Sequence, residues 1–127
     1  MNTAHLLPPL LAATLLAPAH AVDTARSAAD AMKAIETAIG EAPCEGDADC
    51  RVLSVGAKAC GGPEAYLPWS VRYTQGATLE RLADEHRALR SRQDRRDGRV
   101  SNCAVVPAPA VQCVARRCQT RPGPITR

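Results

Sequence analysis

The sequence has few aromatic residues and lacks several motifs that would indicate catalysis. One tryptophan, two tyrosines and no phenylalanine occur in 127 residues, and His86 is the only histidine after residue 21. A site with several histidine ligands is therefore excluded from that part of the chain. No two cysteines are spaced C-x-x-C, which argues against a thioredoxin-like centre and against common zinc sites. No G-x-S-x-G, phosphate-binding glycine loop or H-E-x-x-H is present. We therefore expect no cofactor and no metal.

The first 21 residues contain no Lys, Arg, Asp or Glu and are rich in leucine and alanine. Their last three residues, Ala-His-Ala, fit the small-x-small rule of signal-peptide cleavage. A membrane-spanning helix is the alternative, but it needs about 20 apolar residues, and here Pro8, Pro9, Pro18 and His20 interrupt the segment. We predict a signal peptide over residues 1–21, export to the periplasm or beyond, and no membrane span in the mature chain.

Six cysteines follow this segment: Cys44, Cys50, Cys60, Cys103, Cys113 and Cys118. An even number of cysteines in a short exported chain predicts three disulfides, and these compensate for a core with few large side chains. Three cysteines precede the predicted long helix and three follow it. If strand 50–56 runs antiparallel to strand 111–115, the two groups meet in reverse order. This predicts a Cys60–Cys103 bond and pairs Cys44 and Cys50 with Cys113 and Cys118 in either order.

Hydrophobic periodicity predicts two helices within an α+β fold. Residues 22–43 contain an N-terminal helix, which Ser27 and Asp30 begin as a capping box and Gly40 ends. The longer, highly charged helix carries an apolar stripe formed by Leu79, Leu82, His86 and Leu89. Thr74 or Thr78 is its expected N-cap, and Asp97-Gly98 its end.

Strands are predicted over residues 50–56, 100–106 and 111–115, because apolar and β-branched residues alternate there. Strands 50–56 and 111–115 are expected to pair in a small antiparallel sheet, which the long helix crosses. Residues 44–119 then form the disulfide-stabilised domain, and residues 120–127 a flexible tail.

All three aromatic residues lie between residues 66 and 73. Either these side chains cover a thin core, or the segment Gly61–Tyr73 is a loop that presents them to a partner. In the second interpretation the binding residues are Tyr66, Leu67, Trp69 and Tyr73, since Trp and Tyr are frequent anchors at interfaces.

The order of these features is similar to that in small exported bacterial cysteine-rich proteins of uncharacterised function. The pattern comprises Asp49-Cys50, Cys60-Gly61-Gly62-Pro63, Tyr66-Leu67, Trp69-Ser70, a charged helix, Ser101-x-Cys103 and Cys113-x4-Cys118. The resemblance covers residues 44–118. It implies an α+β disulfide scaffold and no particular chemistry.

Two functional classes remain open. The first is a non-enzymatic interaction module that binds another envelope or extracellular protein through the segment Gly61–Tyr73, as a protease inhibitor does. The alternative is a small envelope hydrolase that uses Asp, Glu or Ser together with His86. Nucleic acid is not an expected partner, because most basic residues alternate with acidic ones and export removes the usual targets. We predict the first class.

Overall fold

The computed structural model describes residues 26–121, which form two helices, two antiparallel sheets of two strands each and three disulfides. The predicted α+β class is therefore confirmed. The predicted signal peptide and residues 122–127 of the predicted tail lie outside the described residues. Neither described helix is long and apolar enough to cross a membrane.

Helix α1 (Ala28–Ile39) begins at the predicted capping box. The Ser27 hydroxyl accepts from the Asp30 N–H at 3.1 Å, and the Asp30 carboxylate accepts from the Ser27 N–H at 3.0 Å. These two bonds satisfy donors that the first turn of a helix leaves free. The helix ends at Gly40, whose φ of +55° is readily reached by glycine.

Strand β1 (Cys50–Val55) pairs with strand β2 (Ala65–Ser70), so that Cys50 lies opposite Ser70 and Leu53 opposite Leu67. The predicted pairing of strand 50–56 with strand 111–115 is therefore wrong. Strand β2 pairs with β1 because only the short connection over residues 56–64 separates them. Closing a short loop costs less conformational entropy than bringing together segments that are distant in sequence.

Helix α2 (Gly76–Asp97) buries three members of the predicted stripe, Leu79, Leu82 and His86, whereas Leu89 is half-buried. Gln75 occupies the N-cap position without a side-chain bond, so the predicted threonine caps are wrong. The Thr74 hydroxyl instead donates to the carbonyl of Ala38 at 3.0 Å, which joins the start of α2 to α1. As predicted, the helix ends at Gly98, which is left-handed.

The chain after α2 differs most from the prediction. Residues 100–106 form no strand; Cys103 has a φ of +56°, and the Ser101 and Asn102 side chains accept from backbone N–H groups two residues ahead. Strand β3 (Val111–Val114) pairs with an unpredicted strand, β4 (Arg117–Thr120). Thr120 therefore belongs to a strand and not to a flexible tail.

The β1–β2 sheet separates two layers. Leu53, Val55, Leu67 and Trp69 lie on one face and pack with α1 and α2 around buried Ile35, Leu79, Leu82 and Ala83. On the other face, Cys50 and Tyr66 contact the C-terminal segment. The alternation of side chains along a strand produces this division.

Three disulfides join the C-terminal segment to the rest of the domain. They are Cys44–Cys113, Cys50–Cys118 and Cys60–Cys103, so the predicted Cys60–Cys103 bond and the grouping of the other four cysteines are confirmed. These bonds do not result from the predicted pairing of strand 50–56 with strand 111–115, which does not form. The β3–β4 hairpin reaches Cys44 and Cys50 by packing beside them, not by extending the sheet of β1.

Candidate interaction surface

The four candidate binding residues do not share one surface. Tyr66, Leu67 and Trp69 lie in β2, where Tyr66 faces the C-terminal segment while Leu67 and Trp69 face the helices. Tyr73 follows β2 in a turn that leads to α2. The segment Gly61–Tyr73 is therefore not a loop throughout, because its centre is strand β2, paired to β1.

Leu67 and Trp69 belong to the core. Both are half-buried and pack against the main apolar cluster. The Trp69 ring lies against the start of α2, where a Cβ added to Gly76 would be only 3.2 Å from it. The sequence allowed two roles for this segment, covering the core or presenting side chains to a partner. Leu67 and Trp69 have the first role, because they cover the core.

Tyr66 is half-buried and fixes a different part of the chain. Its hydroxyl donates to the carbonyl of Val106 at 3.2 Å, across 40 residues of sequence. This contact holds the irregular segment that follows α2 against the sheet.

The turn over residues 71–74, which we call the aromatic turn, exposes Val71 and Tyr73. Their exposed fractions are 43% and 66%, and they are two of the five exposed large apolar residues in the described part of the chain. The backbone beneath them is ordered by several hydrogen bonds. The Val71 N–H donates to the Asp49 carbonyl at 2.9 Å, the Thr74 N–H to the Ser70 carbonyl at 3.1 Å, and the Arg72 N–H to the Ser70 hydroxyl at 3.3 Å. Ser70 itself is fully buried.

Arg72 joins the aromatic turn to the acidic turn at residues 45–49. Its guanidinium lies 3.3 Å from the carboxylate of Glu45 and 3.9 Å from that of Asp49. Asp49 in turn accepts from the N–H of Glu45 at 2.8 Å, and Asp47 accepts from the N–H of Cys113 at 2.7 Å. Each of these carboxylates therefore has a backbone N–H or an arginine as its partner. Through Arg72, the ordered acidic turn supports the aromatic turn.

His86, the candidate base of the alternative hydrolase, is buried within α2 and bonded to backbone. Its Nδ1 accepts from the Gly56 N–H at 3.2 Å, which leaves the proton of the neutral ring on Nε2. Burial lowers the pKa of His86, although the charge of Glu64 opposes this effect. No described serine or carboxylate hydrogen-bonds to the ring. The geometry matches a packing role.

A charged cluster beside His86 holds the β1–β2 connection to α2. Arg90 donates to both carboxylate oxygens of Glu64, at 3.0 and 2.7 Å, and lies 3.1 Å from Asp94. The hydrogen bonds from Arg90 lower the pKa of Glu64. The Arg90–Asp94 spacing is visible in the sequence, but nothing in the sequence indicates Glu64 as the third member.

Three sulfur atoms, those of Cys44, Cys50 and Cys113, lie within 4.8 Å of one another. All three belong to disulfides, so they are not available as thiolate ligands.

No protein-family model matches the chain, and no curated protein or solved structure matches it either.

Proposed function

We propose that this small disulfide-rich domain is an exported, non-enzymatic interaction module that binds a partner protein through the aromatic turn. Tyr73 is the anchor and Val71 lies beside it. The observation that carries the proposal is the 66% exposure of Tyr73 on a turn whose backbone is fixed. Three disulfides are typical of proteins that work outside the cytoplasm.

Energetics favour a turn of this kind as a binding site. Binding an ordered partner costs free energy for every side chain and loop that must become ordered at the interface. Here the bonds from Val71, Arg72 and Thr74 order the backbone before any partner arrives. Tyrosine adds a large contact area for two side-chain torsions and carries a hydroxyl for hydrogen bonding.

The environment of His86 supports a binding function over the hydrolase alternative. A general base must reach the proton that it removes, directly or through one water. The Nδ1 of His86 is already bonded to the Gly56 N–H, and the ring is buried under the β1–β2 connection.

The geometry narrows the binding segment within Gly61–Tyr73. Residues 65–70 pair with β1, and Leu67 and Trp69 pack on the core, so these two side chains are not free for a partner. Among the large apolar residues of this segment, Val71 and Tyr73 in the aromatic turn are the ones that the described structure exposes.

The test compares Tyr73→Ala and Val71→Ser with a matched control, Val114→Ser. Val114 is 38% exposed, close to the 43% of Val71, but lies in the β3–β4 hairpin. A partner captured from envelope extract by the wild-type protein is identified, purified and titrated against each variant. We expect Tyr73→Ala to weaken binding about 30-fold, as loss of an anchor residue does, and Val114→Ser to leave it unchanged.

Equal binding by wild-type protein and Tyr73→Ala would contradict the proposed surface. Turnover of an ester, peptide or glycoside substrate that His86→Gln abolishes, with the fold intact, would favour the hydrolase instead.

A further inference from the structure

Several arginines in the C-terminal half of α2 have no carboxylate partner. Arg92, Arg95 and Arg96 are all exposed, and within residues 26–121 their side chains take part in no hydrogen bond or ion pair. Other arginines of the domain are paired with carboxylates, as Arg26 is with Glu85. A cation in the last turn of a helix is stabilising, which accounts for Arg95 and Arg96. Arg92 lies outside that turn, and like charges three or four residues apart destabilise a helix.

The two halves of α2 differ in the sign of their charge. Residues 76–86 contain three acidic residues and one arginine, whereas residues 87–99 contain six arginines and two aspartates. Arg99 follows the C-cap Gly98, is exposed, and has only a distant contact with Asp97 at 3.9 Å. We call the positive surface at this end of the helix the arginine face. It consists of Arg92, Arg95, Arg96 and Arg99.

Part of the arginine face borders a hollow between α2 and the start of α1. The hollow has a volume of about 340 Å³, and three of the described residues that line it are arginines, Arg26, Arg92 and Arg96, whereas none is acidic. Two hydrogen bonds to Glu85, at 3.0 and 3.1 Å, hold and neutralise Arg26, so the net charge comes from the other two. A guanidinium is a planar fork of N–H donors that matches two oxygens of a phosphate group. The hollow therefore has the chemistry of a phosphate site.

We propose that the arginine face is a docking surface for a membrane that contains anionic phospholipids, with the phosphate of one head group bound in the hollow by Arg92 and Arg96. The argument is charge complementarity, because each basic side chain near a negatively charged bilayer adds to the attraction. The surface is separate from the aromatic turn and does not depend on Tyr73.

The extent of the arginine face favours a membrane over a small soluble anion. Arg95 and Arg99 belong to the face but do not line the hollow. One phosphate in the hollow would leave these two charges without a partner. A bilayer surface presents many phosphates side by side, so all four arginines can be neutralised at once.

The other side chains of this region favour a membrane over a protein or a nucleic acid. Protein interfaces have an apolar core, whereas the exposed large apolar residues of the described chain all lie outside α2. Binding of single-stranded nucleic acid uses aromatic side chains on which bases stack, and no aromatic residue is among those lining the hollow. If the chain is exported as its first 21 residues predict, membrane lipids are the phosphates that it meets.

The experiment measures co-sedimentation of the oxidised mature protein with lipid vesicles, after its N-terminus has been verified by mass. The probe is a vesicle made of equal parts of phosphatidylglycerol and phosphatidylcholine, and vesicles of phosphatidylcholine alone are the reference. We expect binding to the anionic vesicles only, and its loss in 1 M salt, where charges more than about 3 Å apart are screened. The double variant Arg92→Gln with Arg96→Gln should bind about 25-fold more weakly, or about fivefold for each arginine.

A matched control has the same net charge but changes another surface. Arg116 and Arg121 are exposed in or beside the β3–β4 hairpin. The double variant Arg116→Gln with Arg121→Gln should bind anionic vesicles within about twofold of wild type, because distant charges are screened. The variant at positions 92 and 96 should unfold at the same urea concentration as wild type or higher, since it removes like-charge repulsion. Its weaker binding is then not a folding defect.

Three results would overturn the proposal. They are equal binding to anionic and neutral vesicles, equal weakening by the two double variants, and release of the protein from vesicles by millimolar inorganic phosphate, which would make a free anion the ligand. Tyr73→Ala should bind vesicles like wild type, and the variant at positions 92 and 96 should keep its affinity for a partner protein of the aromatic turn. Failure of one surface is thereby distinguished from failure of the other.

Discussion

Replacing Gly56 by alanine tests how the β1–β2 connection is locked to α2. Gly56 is buried and has a φ of +80°. A Cβ at this position would lie 2.2 Å from a carboxylate oxygen of Glu64, the residue that Arg90 holds with two hydrogen bonds. Gly56→Ala therefore has two costs, a strained backbone and a displaced charged side chain.

Gly62 separates these two costs because it has nearly the same φ. Its φ is +82°, but an added Cβ would meet nothing within 4 Å. Gly62→Ala should therefore lose only the cost of a left-handed alanine, about 1–2 kcal/mol. Gly56→Ala should lose in addition the charge-assisted bonds of Glu64, about 1.5–3 kcal/mol, for about 2.5–5 kcal/mol in total.

Urea unfolding of the oxidised protein measures the loss of unfolding free energy in both variants. The loss is obtained from the shift of the transition midpoint, provided that the slope m does not change. The excess cost of Gly56→Ala should shrink in a Glu64→Ala background, because the displaced carboxylate is no longer there. It should not vanish, because the Cβ of residue 64 would still lie 2.8 Å from the added Cβ. Equal losses for Gly56→Ala and Gly62→Ala in the wild-type background would refute the reasoning.

Three further predictions concern the helices. Ser27→Ala should lower the free energy of unfolding by about 1 kcal/mol, because the N-cap acceptor of α1 is removed, and Ser27→Asn should restore most of it in urea unfolding. Leu79→Ala should cost about 2–5 kcal/mol, since Leu79 is fully buried in the main core; a loss below 1 kcal/mol on the same scale would contradict this packing. Burial lowers the pKa of His86 below 6.5, so below about pH 6.5 the unfolded chain binds a proton that the folded chain does not. Stability should therefore fall from pH 7.5 to pH 5 by at most about 1.4 kcal/mol per pH unit from this residue, and His86→Gln should flatten the profile measured by thermal unfolding.

The helices were the most predictable elements because their signals are local. The stripe from Leu79 to His86 and the Ser27–Asp30 capping box depend on residues within a few turns of each other. Strand partners depend on the whole chain. Strand β2 was not predicted, because it contains Pro68 and most of its residues are half-buried, without a clear alternation of apolar and polar residues. It nevertheless pairs with β1 over a short connection.

The candidate site was only partly predictable for the same reason. Period-two alternation in β2 is enough to place Tyr66 on one face and Leu67 and Trp69 on the other, provided that the segment is recognised as a strand. The contacts of Tyr66 with Val106 and of His86 with Gly56 span 40 and 30 residues, respectively. Such contacts result from the packing of the helices and the C-terminal segment on the β1–β2 sheet. No local sequence pattern predicts them.

The disulfides show how a correct prediction can follow from an incorrect intermediate step. Cys60–Cys103 was expected from pairing of strands 50–56 and 111–115, which does not occur. The bond forms because the chain after α2 returns beside the connection over residues 56–64, where Lys58 also contacts Ala104.

The most direct test of the central proposal, that the aromatic turn is the surface bound by a partner, is site-specific photo-cross-linking in living cells. A photo-reactive phenylalanine analogue replaces Tyr73 in one strain and Val114 in another, both at exposed positions. We predict a discrete covalent adduct with one envelope or extracellular protein from position 73 and none from position 114. No adduct at position 73, or the same adduct from both positions, would contradict the account.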